Sequence, residues 1–217
     1  LLGNTDSRED FILKNLKPNV STKFFYRDDG PTIVKKRYIN QYLNQKLFEI
    51  NYLANNYIDE NYEASIIDYL KSVINGYDLV MVSDFGHGFI TSNIIRVIEG
   101  NSKKLAVNTQ TNSANAGYNM ITKYKRSNYI CLDEPEIRLA AQERFANIED
   151  VAKNIFTALN TDCLVVTLGK NGLIAVNGNS EIKRTPIFSS RVVDTVGAGD
   201  AVFAFTAPCF AMGLPLD

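Results

Sequence analysis

Residues 191–205 read RVVDTVGAGDAVFAF. A short apolar strand, Arg191 to Val193, leads through Asp194 and Thr195 into Gly197, Ala198 and Gly199. Asp200 comes next, and a long apolar helix, Gly197 to Met212, starts at once. Small residues at a helix start let a ligand approach the backbone, whose first amides have no partner inside the helix. Together with the helix dipole they make a place for an anion. Asp200 beside that place is a carboxylate able to accept a proton. A lone Gly-x-Gly would be read as a turn with an acidic first-turn residue. The full heptad between a strand and a helix, with two aspartates, favours a site.

Working outward, the chain alternates strand and helix from about residue 62. YEASIIDYLKSVI (62–74) carries apolar residues at helical spacing, with Gly76 as its stop. DLVMVSD (78–84) is a continuous apolar run, expected as a strand buried on both faces. Ser92 to Ile98 reads as helix and KLAVN (104–108) as strand. YICLD (129–133) follows as strand, then helices over Glu136 to Ala141 and Ile148 to Leu159. CLVVTLG (163–169) is another buried strand, with GLIAVN (172–177) as its hairpin partner. Repeated strand-helix units imply an α/β fold with a mostly parallel sheet, whose ligands sit at the carboxyl ends of the strands. Ser83 and Asp84, Asn108, Asp133 and Gly169 fall at such ends. The polar tract Thr109 to Tyr118 reads as a strand-end loop, either at the surface or facing a ligand.

Residues 20–53 differ. STKFFYRDD, TIVKKRYIN and QKLFEINYL are rich in β-branched and aromatic residues and are separated by turn formers such as Asp29-Gly30-Pro31. They read as short, partly exposed strands. Before them Ser7 to Leu16 looks helical, with Asp6 or Ser7 as N-cap.

Composition narrows the function classes. With 217 residues and a formal charge of -1, a nucleic-acid-binding stripe is not suggested. Three well-separated cysteines, Cys131, Cys163 and Cys209, fit neither a disulfide framework nor a CxxC metal site; Cys131 and Cys163 read as buried small hydrophobes. There is no signal-like start and no apolar run of bilayer length, so a cytoplasmic protein without membrane contact is the expectation.

The heptad resembles the D-T-x-G-A-G-D signature of the ribokinase-like (PfkB-type) carbohydrate kinases, with matches at Asp194, Thr195, Gly197, Ala198, Gly199 and Asp200. VVTLGKNGLIAV resembles the family's V-T-x-G-x-x-G segment through Thr167, Gly169 and Gly172. VMVSDFGHGFIT resembles D-Y-x-K-G of the heptose-phosphate kinase branch through Asp84, Gly86 and Gly88, with Phe85 for Tyr and His87 for Lys; a lone histidine is more often structural. The family's N-x-x-E appears as Asp133 to Glu136, with Asp for Asn. Read bottom-up, the same residues make a helix start: Asp133 as N-cap, Pro135 in the first turn and Glu136 completing a capping box. No GxxxxGK[ST] occurs, so a P-loop is excluded.

The resemblance implies a ribokinase-like three-layer sandwich with a small β-strand lid at 20–53. It implies an ATP-dependent kinase acting on a hydroxyl of a sugar or sugar phosphate. Asp200 would be the general base, and the amides of Gly197, Ala198 and Gly199 the anion hole. Thr167, Gly169, Gly172, Asp194 and Thr195 would lie near the nucleotide, with Asp84, Gly86 and Asn108 near the acceptor. Asp133 and Glu136 would act indirectly on Mg2+. Subunit pairing through the lid and a fused or associated nucleotidyltransferase are further implications. Family members begin earlier, with a G-G-x-x-x-N segment, and continue further, so 1–217 is expected to be one kinase domain incomplete at both ends. Two other readings stay open: a catalytically silent binding module of the same fold, and a nucleoside or vitamin kinase.

Overall fold

A computed structural model describes residues 1–40, 42, 45–178, 180–188 and 196–215. They divide into two compact units, Leu1–Ile66 with His87–Thr91, and Ile67–Gly86 with Ser92–Asp217. The division falls within helix α2 (Glu60–Val73, numbered after α1 below).

The first unit is built from short pieces. Strand β1 (Leu2–Gly3) pairs in parallel with β2 (Tyr26–Arg27), and α1 (Glu9–Asn15) lies between them in sequence. β3 (Val34–Asn40) and β4 (Gln45–Tyr52) form an antiparallel hairpin in which Tyr38 and Phe48 stack 4.4 Å apart. Three sequence expectations change here. Of STKFFYRDD only Tyr26 and Arg27 pair as strand, and their partner is Leu2–Gly3, which the sequence reading left out. The N-cap of α1 is neither Asp6 nor Ser7 but Arg8, at φ 54, although the Ser7 hydroxyl still accepts from the Glu9 amide at 3.3 Å. The β1–β2 pairing is made by the Leu2 amide, donating to the Phe25 carbonyl at 2.8 Å, and the Asn4 amide, donating to the Arg27 carbonyl at 2.9 Å. The Thr32 hydroxyl accepts from the Gly3 amide at 2.8 Å and donates to the Ser7 carbonyl at 3.0 Å, which ties the start of α1 to the 26–32 segment. The buried Arg27 guanidinium grips Asp29 through two bonds, at 2.6 and 2.8 Å, and Asn56 at 3.0 Å.

The second unit carries a six-stranded sheet in the order β10-β9-β8-β7-β6-β5. Its strands are β5 (Val80–Asp84), β6 (Leu105–Thr109), β7 (Tyr129–Asp133), β8 (Cys163–Thr167), β9 (Leu173–Asn177) and β10 (Glu181–Thr185). β5 to β8 run parallel; β9 runs antiparallel to β8, and β10 antiparallel to β9. Helices α3 (Ser92–Asn101), α4 (Glu134–Ala141), α5 (Ile148–Leu159) and α6 (Ala198–Ala211) complete the unit. α5 starts where Asn147 accepts from the Glu149 amide at 2.9 Å, and it ends at Asn160 in the left-handed region. Its buried stripe, Val151, Ala152, Ile155 and Phe156, belongs to the helix's sheet-facing side, where α5 meets β8 and β9.

Alternation along the strands sorts the layers. Tyr129, Cys131, Cys163, Val165 and Ala175 pack with Phe203 and Ala207 of α6. The intervening Ile130, Leu132, Leu164, Val166 and Ile174, none more than 1% exposed, point the other way. Burying each of these side chains contributes about 1.5–3 kcal/mol. The two buried cysteines therefore act as small apolar fillers, and burial pushes both thiols up to about 12. Cys209 is exposed, and none of the three is in a disulfide.

β5 departs from its expectation. It lies at the sheet edge among the described residues, with Met81 38% exposed and Ser83 exposed, so only Val82 and Asp84 face a packed side. β10 is a strand the sequence reading omitted; its EIKRT has no apolar run, and it forms by pairing with β9 across the Asn177-Gly178 turn. No described helix is long and apolar enough to cross a membrane.

Candidate active site

The carboxyl ends of β5 to β8 carry Asp84, Asn108 with Thr109, Asp133 and Thr167. The parallel arrangement puts all four ends at one edge of the sheet, and Asp133 and Thr167 are register partners. α6 starts at Gly197, with φ 81 and no side chain capping it. The first amides of α6 therefore have no acceptor inside the helix. A Cβ built on Gly197 or Gly199 would meet no described atom within 4 Å. The left-handed φ accounts for glycine at 197. At Gly199 neither crowding nor backbone conformation asks for it, which leaves the open approach to the amides as the physical reason for a small residue.

Asp200 is exposed in the first turn, and its Oδ1 accepts from Gln110 Nε2 at 2.6 Å. The next residue along from that glutamine, Thr111, donates its amide to Glu136 Oε1 at 3.1 Å. Glu136 Oε2 accepts from the Asp133 amide at 2.8 Å, and Asp133 Oδ1 accepts from the Glu136 amide at 2.8 Å. This is the capping box expected from the sequence, with Pro135 in the first turn. Burial pushes the Glu136 carboxyl up to about 7, with the Asp133 and Asp200 charges adding to it against the pull of two backbone amides. Burial likewise raises Asp133, against its bonds to Glu136. Asn108 is buried; its Nδ2 donates to the Cys131 carbonyl at 2.8 Å, and its Oδ1 has no partner among the described residues.

The polar tract after β6 is a knot of asparagines. Asn115 Nδ2 donates to the carbonyls of Gln110 at 2.7 Å and Phe85 at 3.1 Å. Asn112 Nδ2 donates to Phe85 at 2.8 Å, and Asn119 Nδ2 to the carbonyls of Asp84 at 2.6 Å and Gln110 at 3.3 Å. Asp84 itself is spent inside the chain. Its Oδ1 accepts from the Gly86 amide at 3.0 Å; Oδ2 accepts from Tyr124 at 2.7 Å and pairs with Lys123 at 2.6 Å. Burial, then the Asp84 charge, pushes the Tyr124 hydroxyl far up. Gly86, at φ 69, is needed because a Cβ would come within 2.6 Å of Asn119 and 2.7 Å of Asn115.

The structure thus gathers Asp200, Gln110, Thr111, Glu136 and Asp133 into one bonded chain, with Asn108 on the neighbouring strand end. Asp84 and Gly86 join it through the asparagine loop. Gly169, at φ 56, lies in an open turn after β8; Gly172 is instead pressed on β10, where a Cβ would fall 2.0 Å from the Thr185 carbonyl oxygen. Asp194 and Thr195, with the strand expected at 191–193, lie outside the described residues. His87 belongs to the first unit and is buried. Sequence reasoning offered the tract Thr109 to Tyr118 as a surface or ligand-facing loop without singling out Gln110, Asn112 or Asn115, and it missed Asn119, Lys123 and Tyr124; the signal was the density of amide side chains after a strand.

Among the described residues no group of three His, Cys, Asp or Glu side chains could hold a metal. The donor set suits a magnesium ion that keeps its waters and binds through phosphates, with Asn108 Oδ1 as a buried acceptor for such a water.

The model of the pfkB family of carbohydrate kinases matches residues 5–217. The chain belongs to that family. The bifunctional protein HldE of Trichlorobacter lovleyi is 25% identical over 203 residues, covering 92% of this chain and 40% of its own length. HldE of Wolinella succinogenes is 27% identical over 190 residues, covering 86% and 38%. The chain therefore spans about two fifths of the curated relatives it matches. Among solved structures, phosphofructokinase-2 of Escherichia coli in complex with potassium superposes with a TM-score of 0.77 at 12% identity, over 99% of this chain and 69% of that one. Ribokinase of Thermotoga maritima gives 0.72 at 21%, over 98% and 67%. The family's three-layer, mostly parallel fold is the one found here.

The shifted carboxyl at the centre of the site makes stability depend on pH. A carboxyl harder to ionise folded than unfolded supports the fold fully below its ordinary value of 4.5 and loses that support as pH rises through about 7. Stability is expected to fall by up to about 3 kcal/mol over that window from this group. Urea midpoints taken from pH 4 to 8 should show the slope in the wild type and a flatter one in Glu136→Gln. Equal slopes would refute the assignment.

Proposed function

We propose that the chain transfers the γ-phosphoryl group of ATP to a hydroxyl of a sugar or sugar phosphate. What carries the reading is Asp200 in the first turn of an uncapped helix whose two glycines leave the amides open. In this reading Asp200 takes the proton of the acceptor hydroxyl. The acceptor oxygen bonds to the γ-phosphorus as the bond to the β,γ-bridging oxygen breaks, and ADP leaves. The amides of Gly197, Ala198 and Gly199 hold the transferring oxygens. Thr167, Gly169, Gly172, Asp194 and Thr195 border the nucleotide. Asn108 and Gly86 border the acceptor, and Asp84 serves it by anchoring the loop. Asp133, Glu136 and Asn108 would hold Mg2+ through its waters; when bound, that ion supplies charge neutralisation to the phosphates. A cytoplasmic location, where ATP is supplied, goes with this chemistry.

The likeness to proteins named bifunctional HldE supports a heptose phosphate as acceptor, and a nucleotidyltransferase, fused or separate, as the partner that uses the product. We also propose pairing of two copies through the β3–β4 hairpin. A two-stranded sheet is marginal alone, and Ile39, Leu47 and Phe48 are each more than half exposed on it.

One preparation tests the set. ATP consumption is measured with a panel of heptose phosphates, other sugars and sugar phosphates, nucleosides and vitamins, with and without magnesium, beside sedimentation velocity. Magnesium-dependent turnover of a sugar or sugar phosphate is expected, from a species of twice the chain mass. Turnover of nucleosides or vitamins alone would replace the acceptor class. ATP bound but never consumed would favour the silent module, for which Asp133 in place of Asn and His87 in place of Lys are supporting features. A sedimenting monomer would refute the pairing.

A further inference from the structure

We propose that Gln110 is a positioning residue for Asp200, fixing which carboxylate oxygen faces the acceptor hydroxyl. This rests on the reading of Asp200 as the base.

Gln110 is unusually well anchored for a residue just past a strand end. Its amide donates to the Asp84 carbonyl at 2.8 Å, and its own carbonyl accepts from Asn115 at 2.7 Å and Asn119 at 3.3 Å. Both asparagines are buried, at 7% and 4% exposure. With both backbone groups held, the side chain is a short stalk on a fixed base. Its Nε2 reaches Asp200 Oδ1 at 2.6 Å, across 90 residues of sequence. Asp200 is exposed on α6, and no other hydrogen bond to its carboxylate is found among the described residues. Without this contact the carboxylate would be free to rotate.

The donor's chemistry matters as much as its reach. An ammonium or guanidinium here would orient the carboxylate but also oppose its uptake of a proton. A neutral amide orients Oδ1 and leaves Oδ2 to act as base. The adjacent Thr111 amide holds Glu136 at 3.1 Å, so two consecutive residues fix two carboxylates, one by side chain and one by backbone. The asparagine knot thereby serves the chemistry at a distance. It keeps residues 110 and 111 in place, and through them the separation of Asp200 from Glu136.

The test is a double-mutant cycle on the full chain with its best acceptor. Gln110→Leu is expected to lower kcat about 10- to 100-fold, the scale of a misplaced reacting group, with KM for ATP and acceptor unchanged. Gln110→Glu keeps the volume but sets a carboxylate against Asp200, and should lose at least as much. In the Asp200→Asn background, Gln110→Leu should cost nothing further. Equal losses in both backgrounds, or a loss confined to KM, would overturn the proposal. A second readout needs no turnover: a side-chain amide proton of Gln110, shifted downfield in the NMR spectrum by its bond to a carboxylate, should move in Asp200→Asn. If that signal moves while the wild type phosphorylates nothing, the kinase reading fails and the contact stands. If the enzyme turns over and the signal does not move, the positioning role is wrong.

Discussion

Asp200→Asn is expected to lower kcat by about 10²- to 10⁴-fold, the usual contribution of a positioned general base. The substitution is close to isosteric. The amide oxygen of asparagine can still accept from Gln110 Nε2, now at 2.6 Å from Oδ1, so the first turn of α6 keeps its shape. What is lost is the second oxygen's capacity to take a proton. The open amides beside it are backbone groups and remain, so KM for ATP should hold within about threefold while kcat falls. Removing a negative charge next to bound phosphates can even tighten the nucleotide. A coupled assay for ADP reads both parameters. A kcat within about threefold of the wild type would mean that another group takes the proton. A matching loss in KM would instead mark Asp200 as a binding residue.

Asp84→Ala should be the costliest single change to stability in the site region, at about 3–5 kcal/mol. Only 2% of Asp84 is exposed, and its carboxylate is the common acceptor for Gly86, Lys123 and Tyr124. Truncation strands three donors together. Tyr124 is 1% exposed, so its hydroxyl is left buried, while Lys123 keeps Asn119 at 2.6 Å, the Tyr124 ring at 5.6 Å and partial access to solvent. Tyr124→Phe, which removes one donor and leaves the pair with Lys123, should cost only about 1 kcal/mol. Urea denaturation of the two variants beside the wild type measures the difference. A cost below about 1 kcal/mol for Asp84→Ala would show that the cluster relaxes into solvent and does not hold the loop.

How far the sequence could be read depended on whether the cause was local. β7, α5, β8 and β9 were legible because continuous apolar runs and a 3.6-residue stripe each declare themselves within a dozen residues. The capping box at Asp133 and Glu136 was legible for the same reason, being a four-residue motif. β10 was not: EIKRT is polar, and what makes it a strand is the edge of β9. Nor was β1, which exists because Tyr26 and Arg27 offer Leu2 and Gly3 a partner. The site divided along the same line. The start of α6 at Gly197 and the place of Asp200 in its first turn were legible in the heptad, since small residues and helix are contiguous there. Gln110 and Lys123 could not be found that way, because their partners lie 90 and 39 positions off along the chain and nothing about glutamine or lysine alone names them.

The strand order β10-β9-β8-β7-β6-β5 has a consequence for how the molecule comes together. Each strand of this sheet pairs with the one next to it in sequence, so the sheet can grow strand by strand, with no connection to close that is longer than the one from Asp133 to Cys163. α6 is the exception. Its Thr206 meets Tyr129 across 77 residues, and Asp200 meets Gln110 across 90. Docking of α6, the helix that carries Asp200, thus makes the longest closures of the second unit. The step that seals Tyr129, Cys131 and Cys163 under α6 is therefore also the step that brings Asp200 to Gln110.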